Sequence, residues 1–313
     1  MLLLLYLYAM RNLFNFILFG FFVFLLKSCD NNKITKPAYL NIEKLEMAID
    51  PSSTYGNTSS KITSVWISSN NVNLGAFELP IEIPILMDSG GTHAIKIEPG
   101  IDINGISSFR GIYPFYSSLE FGINLIPGET ANLPVGSSNI VYYDYDSPQG
   151  QLYIKSLENF ESLNRQMTIT SQSDISWTLT SSPNLKFPAP QGETNTYSGM
   201  ALLDTGNCKF EVSSNENFIL PGGGKNVYVE FDYKVTNPIT IGVIASNPGQ
   251  IIQMPTATFL PNKKWNHAYV NLITEVSGSP QASAFKIFLG SAKLNNGIRD
   301  TILVDNLRLL YRE

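Results

Sequence analysis

Charged residues, histidines and cysteines are all scarce in this sequence. Charged side chains make up 15% of its 313 residues, with two histidines and two cysteines, whereas about a quarter of an average globular chain is charged. The net charge of −5 and the lack of a basic segment argue against a nucleic-acid partner. Neither His93 nor His267 has a histidine or cysteine at ligand spacing, so a zinc site has no support. Glycine and proline stay near ordinary usage, which excludes collagen-like and low-complexity chains.

The longest apolar run stands at the N-terminus. Residues 13–26 are almost wholly apolar and lead to Ser28 and Cys29. A basic start, an apolar stretch and a small residue before the cleavage point predict a secretory signal peptide over residues 1–28. The Leu-x-Ser-Cys segment resembles a bacterial lipobox, although Lys27 stands where that pattern has a small or apolar residue. The resemblance implies cleavage before Cys29 and lipidation of its thiol.

An uncleaved membrane anchor is the alternative. Counted from Met1 the stretch is long enough to cross a bilayer, which takes about 20 residues, but counted from Leu13 it is too short. Met10 is a second candidate start. Both interpretations predict an exported, membrane-tethered protein. The lipobox interpretation further predicts an outer-membrane lipoprotein of the cell envelope that faces the periplasm or the cell surface. Polar residues 29–36 would form the tether, and Cys208, left without a disulfide partner, is expected in the core.

Strand patterns dominate the rest of the chain. Residues Val227 to Val235 alternate between apolar side chains and a second set, which predicts a half-buried antiparallel strand. Thr301 to Tyr311 alternates too, which predicts that Leu303, Leu307 and Leu309 share a face with Asp305. Pro-Gly and Gly-Gly pairs recur at short intervals, as in sandwiches and barrels. Only residues 157–165 suggest a short helix.

The chain after the tether is too long for one sandwich, so two domains are expected. We predict an all-β fold, with an Ig-like sandwich over residues 37–140 and a jelly-roll over residues 156–313. Residues 141–155 would be a linker or an edge strand. The aromatic stretch Ile112–Tyr116 is expected to pack between sheets or at the domain interface.

Three segments of the first predicted domain carry a resemblance. They read Val65-Trp-Ile67, Leu74-Gly-Ala-Phe-Glu-Leu-Pro80 and Gly91-Thr-His-Ala-Ile-Lys-Ile-Glu-Pro-Gly100. This succession resembles the PEGA-type β-sandwich modules of bacterial surface proteins. The resemblance implies a structural or spacer module rather than a catalytic one.

The second predicted domain resembles carbohydrate-binding modules and galactose-binding-like jelly-rolls. The resemblance is carried by Asn159–Glu161, Tyr197–Ala201, Tyr228–Tyr233, Trp265 and the closing segment Ile302–Leu309, with its Asp-Asn pair. It implies a glycan- or protein-binding fold without catalytic residues.

Two kinds of site are predicted for that domain. Trp265 and Trp177 are the candidates for stacking on a sugar, although a tryptophan in a sandwich is more often a core residue. Jelly-roll binding modules often hold a structural calcium ion, and Glu158, Glu161 and Asp305 are the carboxylates that would bind it. Calcium prefers six or more oxygen ligands, so these three would be an incomplete set. The alternative is that Asp305 caps a β-bulge and that the two glutamates are solvated. No other cofactor is expected.

An aspartic protease is the enzymatic alternative. Asp88 and Asp204 each begin an Asp-Ser/Thr-Gly triplet, and such enzymes use two carboxylates that share one proton. Gly91 and Asn207 stand where those enzymes have Ser or Thr, and both triplets also match ordinary turns. We therefore expect no enzyme. The leading hypothesis is non-catalytic binding of a glycan or a surface partner. The alternatives are a structural component of an envelope complex and, third, a hydrolase.

Overall fold

The structure, a computed structural model, describes Met10 and residues 36–50, 57–87, 90–133, 136, 138–294, 297 and 299–313. The predicted signal peptide, Cys29 and most of the tether lie outside these residues. Strands dominate the described part, which contains one short helix, α1 (Ile273–Ser277). The all-β prediction is confirmed, whereas the helix expected at 157–165 is wrong because a strand ends there and the chain continues in bends. Within the described residues, no helix is both long and apolar enough to span a bilayer.

Ten strands form the described part of the first unit, residues 36–145. They are β1 (Ala38–Ile42), β2 (Glu46–Met47), β3 (Ser64–Ser69), β4 (Val72–Glu78), β5 (Ile81–Ile85), β6 (Gly91–Asp102), β7 (Arg110–Ile112), β8 (Leu119–Leu125), β9 (Thr130–Asn132) and β10 (Ile140–Val141). An antiparallel sheet has the order β4-β3-β6-β7, with β8 also paired to β6. A smaller sheet has the order β5-β1-β9, and β10 pairs with β2.

The first unit packs as period-two strands predict. In β1, Ala38, Leu40 and Ile42 are buried while the residues between them are half-buried. Ile95 and Ile97 of β6 join the same core. The three segments with PEGA-like character lie in β3, in β4 with the turn after it, and in β6. The PEGA-like module itself stays a prediction.

Among the described residues of the second unit, 146–313, there are twelve strands and α1. The strands are β11 (Asp146–Ser147), β12 (Gly150–Glu158), β13 (Met167–Ile169), β14 (Thr178–Thr180), β15 (Ser198–Leu203), β16 (Lys209–Ser214), β17 (Val227–Val235), β18 (Ile239–Asn247), β19 (Gln250–Phe259), β20 (Asn266–Asn271), β21 (Ala284–Ala292) and β22 (Asp300–Arg312). One sheet has five strands in the order β13-β16-β21-β18-β19. The other sheet has seven strands, with β22 at its centre. On one side β22 pairs with β12 and β15, and on the other side it pairs with β17. The outer strands are β11 beside β12, β14 beside β15 and β20 beside β17.

The two sheets of the second unit enclose a large apolar core, so this unit is a β-sandwich. The apolar face of β17, from Val227 to Val235, lies in that core as predicted. Because a half-buried strand was predicted, its other face was expected to be open to solvent. Instead Tyr228, Glu230 and Asp232 are buried too, and only Lys234 stays partly exposed. The first unit covers this second face.

A β-bulge corrects the pattern predicted for β22. Ile302 and Val304 point into the sandwich core before the bulge, and Leu307 and Leu309 do so after it. The alternation of inward- and outward-facing side chains therefore changes phase at Asp305 and Asn306. Asn306 has a positive φ of 52°, and the pairing with β17 shifts register at this point. Leu303 and Asp305 consequently do not share a face with Leu307 and Leu309.

The outer face of the seven-stranded sheet packs on the first unit. Leu152, Ile154 and Leu310 from this face belong to the same apolar cluster as β1, β3 and β6 of the first unit. Of the segment expected as a linker or an edge strand, residues 146–147 form the terminal strand β11 and residues 150–155 belong to β12.

Candidate functional site

A buried ionic cluster lies where the two units meet. Its centre is Glu230 of β17, whose side chain has no exposed surface. The hydroxyl groups of Tyr113 and Tyr143 donate to its two carboxylate oxygens, and Arg308 Nη2 lies 2.8 Å from Oε2. Burial raises the pKa of Glu230, but Arg308, His267 and Tyr113 outweigh burial and lower the pKa to about 2. The carboxylate is therefore ionised and fully partnered.

A second carboxylate, Asp232, completes the cluster two residues along β17. His267 Nδ1 lies 2.9 Å from its Oδ1, Ser59 Oγ donates to the same oxygen over 2.5 Å, and Asn306 Nδ2 donates to Oδ2 over 2.8 Å. Burial lowers the pKa of His267, but Asp232 and Glu230 raise it above the ordinary value. The raised pKa favours the imidazolium form, which together with Arg308 balances the two carboxylates.

The Ser59–His267–Asp232 group does not have the geometry of a catalytic triad. In a triad the serine and the aspartate bind opposite nitrogens of the imidazole ring. Here Ser59 Oγ and Asp232 Oδ1 both approach Nδ1, at 3.2 and 2.9 Å. His267 Nε2 faces Glu230 Oε2 at 3.7 Å. The arrangement holds the two units together and does not activate the serine.

The bulge in β22 determines which charges oppose each other across the sheet. Glu230 pairs in register with Arg308, and Asp232 pairs with Asp305. Asp305 is fully buried, and its Oδ2 accepts hydrogen bonds from Ser198 Oγ and from Asn195 Nδ2. Burial is the main cause that raises the pKa of Asp305 to about 7, and the neighbouring Asp232 adds to it.

A polar pocket of about 300 Å³ opens beside this cluster. Four asparagine side chains, two glutamates and Arg308 line it together with a few apolar groups. The lining residues are Asn57, Ile154, Ser156, Asn159, Glu161, Phe187, Ala189, Pro190, Glu193, Thr194, Asn195, Asn306, Leu307 and Arg308. The volume is at the small end of the range for ligand sites, about 300–1,000 Å³.

The segment between β14 and β15 forms one wall of the pocket, and hydrogen bonds from Asp305 outward fix its shape. Ser198 Oγ, which donates to Asp305, also accepts the backbone N–H of Phe187 over 2.8 Å. Asn195 Nδ2 donates to Asp305 Oδ2 over 3.0 Å and to the carbonyl oxygen of Phe187 over 3.1 Å. Asp305 therefore positions the wall without lining the pocket.

The first unit also contributes to the pocket, which Asn57 helps to line. Glu193 Oε1 accepts the backbone N–H of Thr58 over 2.8 Å and also the hydroxyl of Thr58. Arg308 donates to the carbonyl oxygens of Asn57 and Ser59, each over 3.2 Å. The pocket is thus shared by both units.

Trp265 stands behind the pocket rather than in it. Its ring is half-buried, its Nε1 donates to the carbonyl oxygen of Lys186 over 3.1 Å, and its ring packs edge-on against Phe187 at 5.4 Å between centroids. Trp177 packs on the sandwich core, edge-on against Phe160 and Phe210. Phe187, which no sequence pattern singled out, is the aromatic side chain of the pocket lining.

The structure does not bring the predicted calcium ligands into one group. Glu158 is buried, and its oxygens accept the backbone N–H groups of Phe160 and Gln166 and pair with Arg165. Glu161 is exposed at the pocket. In the part of the chain that the structure describes, no three His, Cys, Asp or Glu side chains form a metal-binding group. Calcium stays a prediction.

The other motifs have local roles where they are described. Asp88 lies outside the described residues. Asp204 Oδ1 accepts the backbone N–H groups of Gly206 and Asn207, as a turn aspartate does. Cys208, expected in the core, is only half-buried and directs its thiol toward the carbonyl oxygens of Asp204 and Thr205.

A shallower groove of about 360 Å³ crosses the outer face of the five-stranded sheet. We call it the outer groove. It is lined by Gln172, Lys209, Phe210, Glu211, Thr240, Gln253, Pro255, Phe288, Gly290, Ser291 and Ala292. Glu211 binds Thr170 and Gln253 there.

No family model matches this chain, and no curated protein does. Among solved structures, it is similar to the enzymatically active domain of tailspike protein 4 of bacteriophage CBA120, at 11% identity over 53% of this chain and with a TM-score of 0.32. The chain spans 20% of that domain.

Carbohydrate-binding modules are also among the similar structures. One, from a study of promiscuous specificity in the β-sandwich superfamily, aligns at 13% identity over 87% of this chain and 98% of its own, with a TM-score of 0.36. A family 29 module aligns at 12% identity over 51% and 89%, with a TM-score of 0.31. Because these TM-scores are all below 0.5, the function of this chain has to be argued from its own residues.

Proposed function

We propose that this chain is an exported lipoprotein that binds a glycan, without catalysis, in the polar pocket between its two units. The observation that carries the proposal is the chemistry of the lining. Asparagine amides, carboxylates and serine and threonine hydroxyls converge on a cavity with an aromatic side chain. Such groups both donate to and accept from sugar hydroxyls, while Phe187 offers an apolar surface.

The proposal is tested by a glycan-array screen of the full-length protein in mild detergent. Ala189→Trp would fill the pocket, and Ala292→Trp would fill the outer groove in the same way. We expect binding by the parent protein and by Ala292→Trp, and at least about a tenfold loss for Ala189→Trp, equivalent to about 1.4 kcal/mol. Loss only in Ala292→Trp would move the site to the groove, and no glycan binding by the parent would overturn the proposal.

Lipid anchoring is tested separately through Cys29. We expect the mature protein in the membrane fraction to begin at Cys29 and to carry a lipid mass on that residue. Cys29→Ser should release the protein or leave its signal peptide uncleaved, whereas Cys208→Ser, the matched control, should change neither. An unmodified Cys29 in a membrane-bound protein would favour the retained helix.

A hydrolase is the second candidate, because Glu161 and Glu193 share one pocket. Glycoside hydrolases use a pair of carboxylates about 5–10 Å apart. Incubating the glycan bound on the array with the protein and measuring newly formed reducing ends separates the two functions. Product that disappears in both Glu161→Gln and Glu193→Gln would establish hydrolysis.

A further inference from the structure

We infer that the pocket selects a positively charged glycan unit, a sugar that carries a free ammonium group. The inference deepens the proposed function and rests on it. It is carried by the charges around the pocket. The carboxylates of the lining form no ion pair with a described residue, whereas the basic side chains already bind other groups of the protein.

Both carboxylates of the lining keep one oxygen for a ligand. Glu161 Oε1 accepts the backbone N–H groups of Thr196 and Tyr197, over 2.8 and 2.9 Å. Glu193 Oε1 is held by Thr58 in the same way. Neither glutamate forms an ion pair with a described residue, and neither Oε2 accepts a hydrogen bond from one. The contacts fix the orientation of both carboxylates but leave their charge unneutralised.

The cations near the pocket are already engaged. Arg308, the one basic residue of the lining, pairs with the buried Glu230 and also donates to two backbone carbonyls. Lys186, next to the lining residue Phe187, directs its Nζ to the carbonyl oxygen of Asn195. The charges of Arg308 and Glu230 cancel each other. The two negative charges of Glu161 and Glu193 therefore exceed the single positive charge of Lys186.

The size and polarity of the pocket limit the ligand further. A volume of about 300 Å³ suits a small ligand or one terminal unit of a longer chain. The amides of the lining suit hydroxyl groups, and the two carboxylates suit an ammonium group that donates up to three hydrogen bonds. An amino sugar without an N-acetyl group combines both features.

The test compares glucosamine with glucose, N-acetylglucosamine and glucuronate by calorimetric titration of the full-length protein. At about pH 6 the amine of glucosamine is protonated, since amines of this kind titrate near pH 8. We expect glucosamine to bind at least about tenfold more tightly than glucose, and glucuronate to bind most weakly. The preference for glucosamine should shrink as salt is added.

Three variants locate the effect. Glu161→Gln and Glu193→Gln keep the shape of each side chain but remove its charge, so each should reduce the preference for glucosamine over glucose several-fold. Glu120→Gln, at an exposed position of β8, should leave it unchanged. Equal or tighter binding of glucose or N-acetylglucosamine by the parent protein would overturn the inference while the proposed function stands. Absence of binding by every sugar would overturn the proposed function itself.

Discussion

The seven-stranded sheet has two buried faces, one held by apolar packing and the other by apolar packing together with a polar cluster. Its inner face, with residues such as Val229 and Phe231, packs against the five-stranded sheet through apolar side chains. Its outer face hydrogen-bonds to the first unit through Glu230, Asp232 and Arg308, whose ion pairs lie within the sheet itself. Apolar packing is non-directional and tolerates small shifts. The outer face, by contrast, specifies one relative placement of the units, which is the placement that forms the pocket.

Removing Glu230 should have the largest effect on stability. Glu230→Ala leaves Arg308 buried without its counter-ion, and such breaks cost about 3–5 kcal/mol. Val229→Ala, its neighbour on the inner face, removes two methyl groups and should cost about 2 kcal/mol. Urea unfolding of both variants measures the difference. A larger loss for Val229→Ala would mean that the ionic face contributes less than the apolar one.

Asp305 should make stability depend on pH. Its pKa is raised to about 7 in the folded state, against about 3.9 in an unfolded chain. The folded protein therefore keeps a proton that the unfolded chain loses, so this residue lowers stability as pH rises from about 4 to 7, by up to about 4 kcal/mol.

Asp305→Asn removes that titration. Urea unfolding at each pH measures the free energy of unfolding of the variant and of the parent. We expect the difference between them to change in favour of the variant as pH rises from 5 to 8. The pKa of Glu230, at about 2, lies below this range, and His267 is common to both proteins. A difference that does not change with pH would show that Asp305 is already ionised at pH 5.

Ser59→Ala should have the smallest effect of the three. The substitution removes the hydroxyl that donates to Asp232 across the two units, and a hydrogen bond to a charged group is worth about 1.5–3 kcal/mol. Ser64 is the matched control, since it is also buried but its hydroxyl lacks a partner among the described residues. Ser64→Ala should be neutral in the same unfolding assay. Equal losses in both variants would show that the bond to Asp232 adds nothing.

The sequence predicted the strands well but not the use of their second faces. The alternation from Val227 to Val235 correctly marked the core side of β17. Whether Glu230 faces water depends on Tyr113 and Tyr143 of the other unit, which no local pattern records. The expectation that Ile112–Tyr116 would pack between sheets or at an interface was confirmed, because Tyr113 packs against Tyr228.

The candidate site was predictable only in part. The Asp305-Asn306 pair was singled out, and a bulge at Asp305 was the alternative to a calcium ligand. The predicted alternation nevertheless ran unbroken through Asp305, so the inversion of faces after the bulge was missed. The pocket wall from Phe187 to Asn195 has no regular pattern, and its shape comes from hydrogen bonds to Asp305 and Ser198. Such contacts join residues far apart in sequence.

The position of β22 has a consequence for how the chain folds. This strand pairs Leu152 with Arg312 and Gly199 with Val304, so the seven-stranded sheet cannot grow outward from local hairpins. Closing such long loops costs entropy before any contact is gained, which makes folding slow. Until β22 is in place, the edges of β12, β15 and β17 that face it remain unpaired, and unpaired strand edges favour aggregation. Slow maturation and a need for protection during that interval follow directly from this topology.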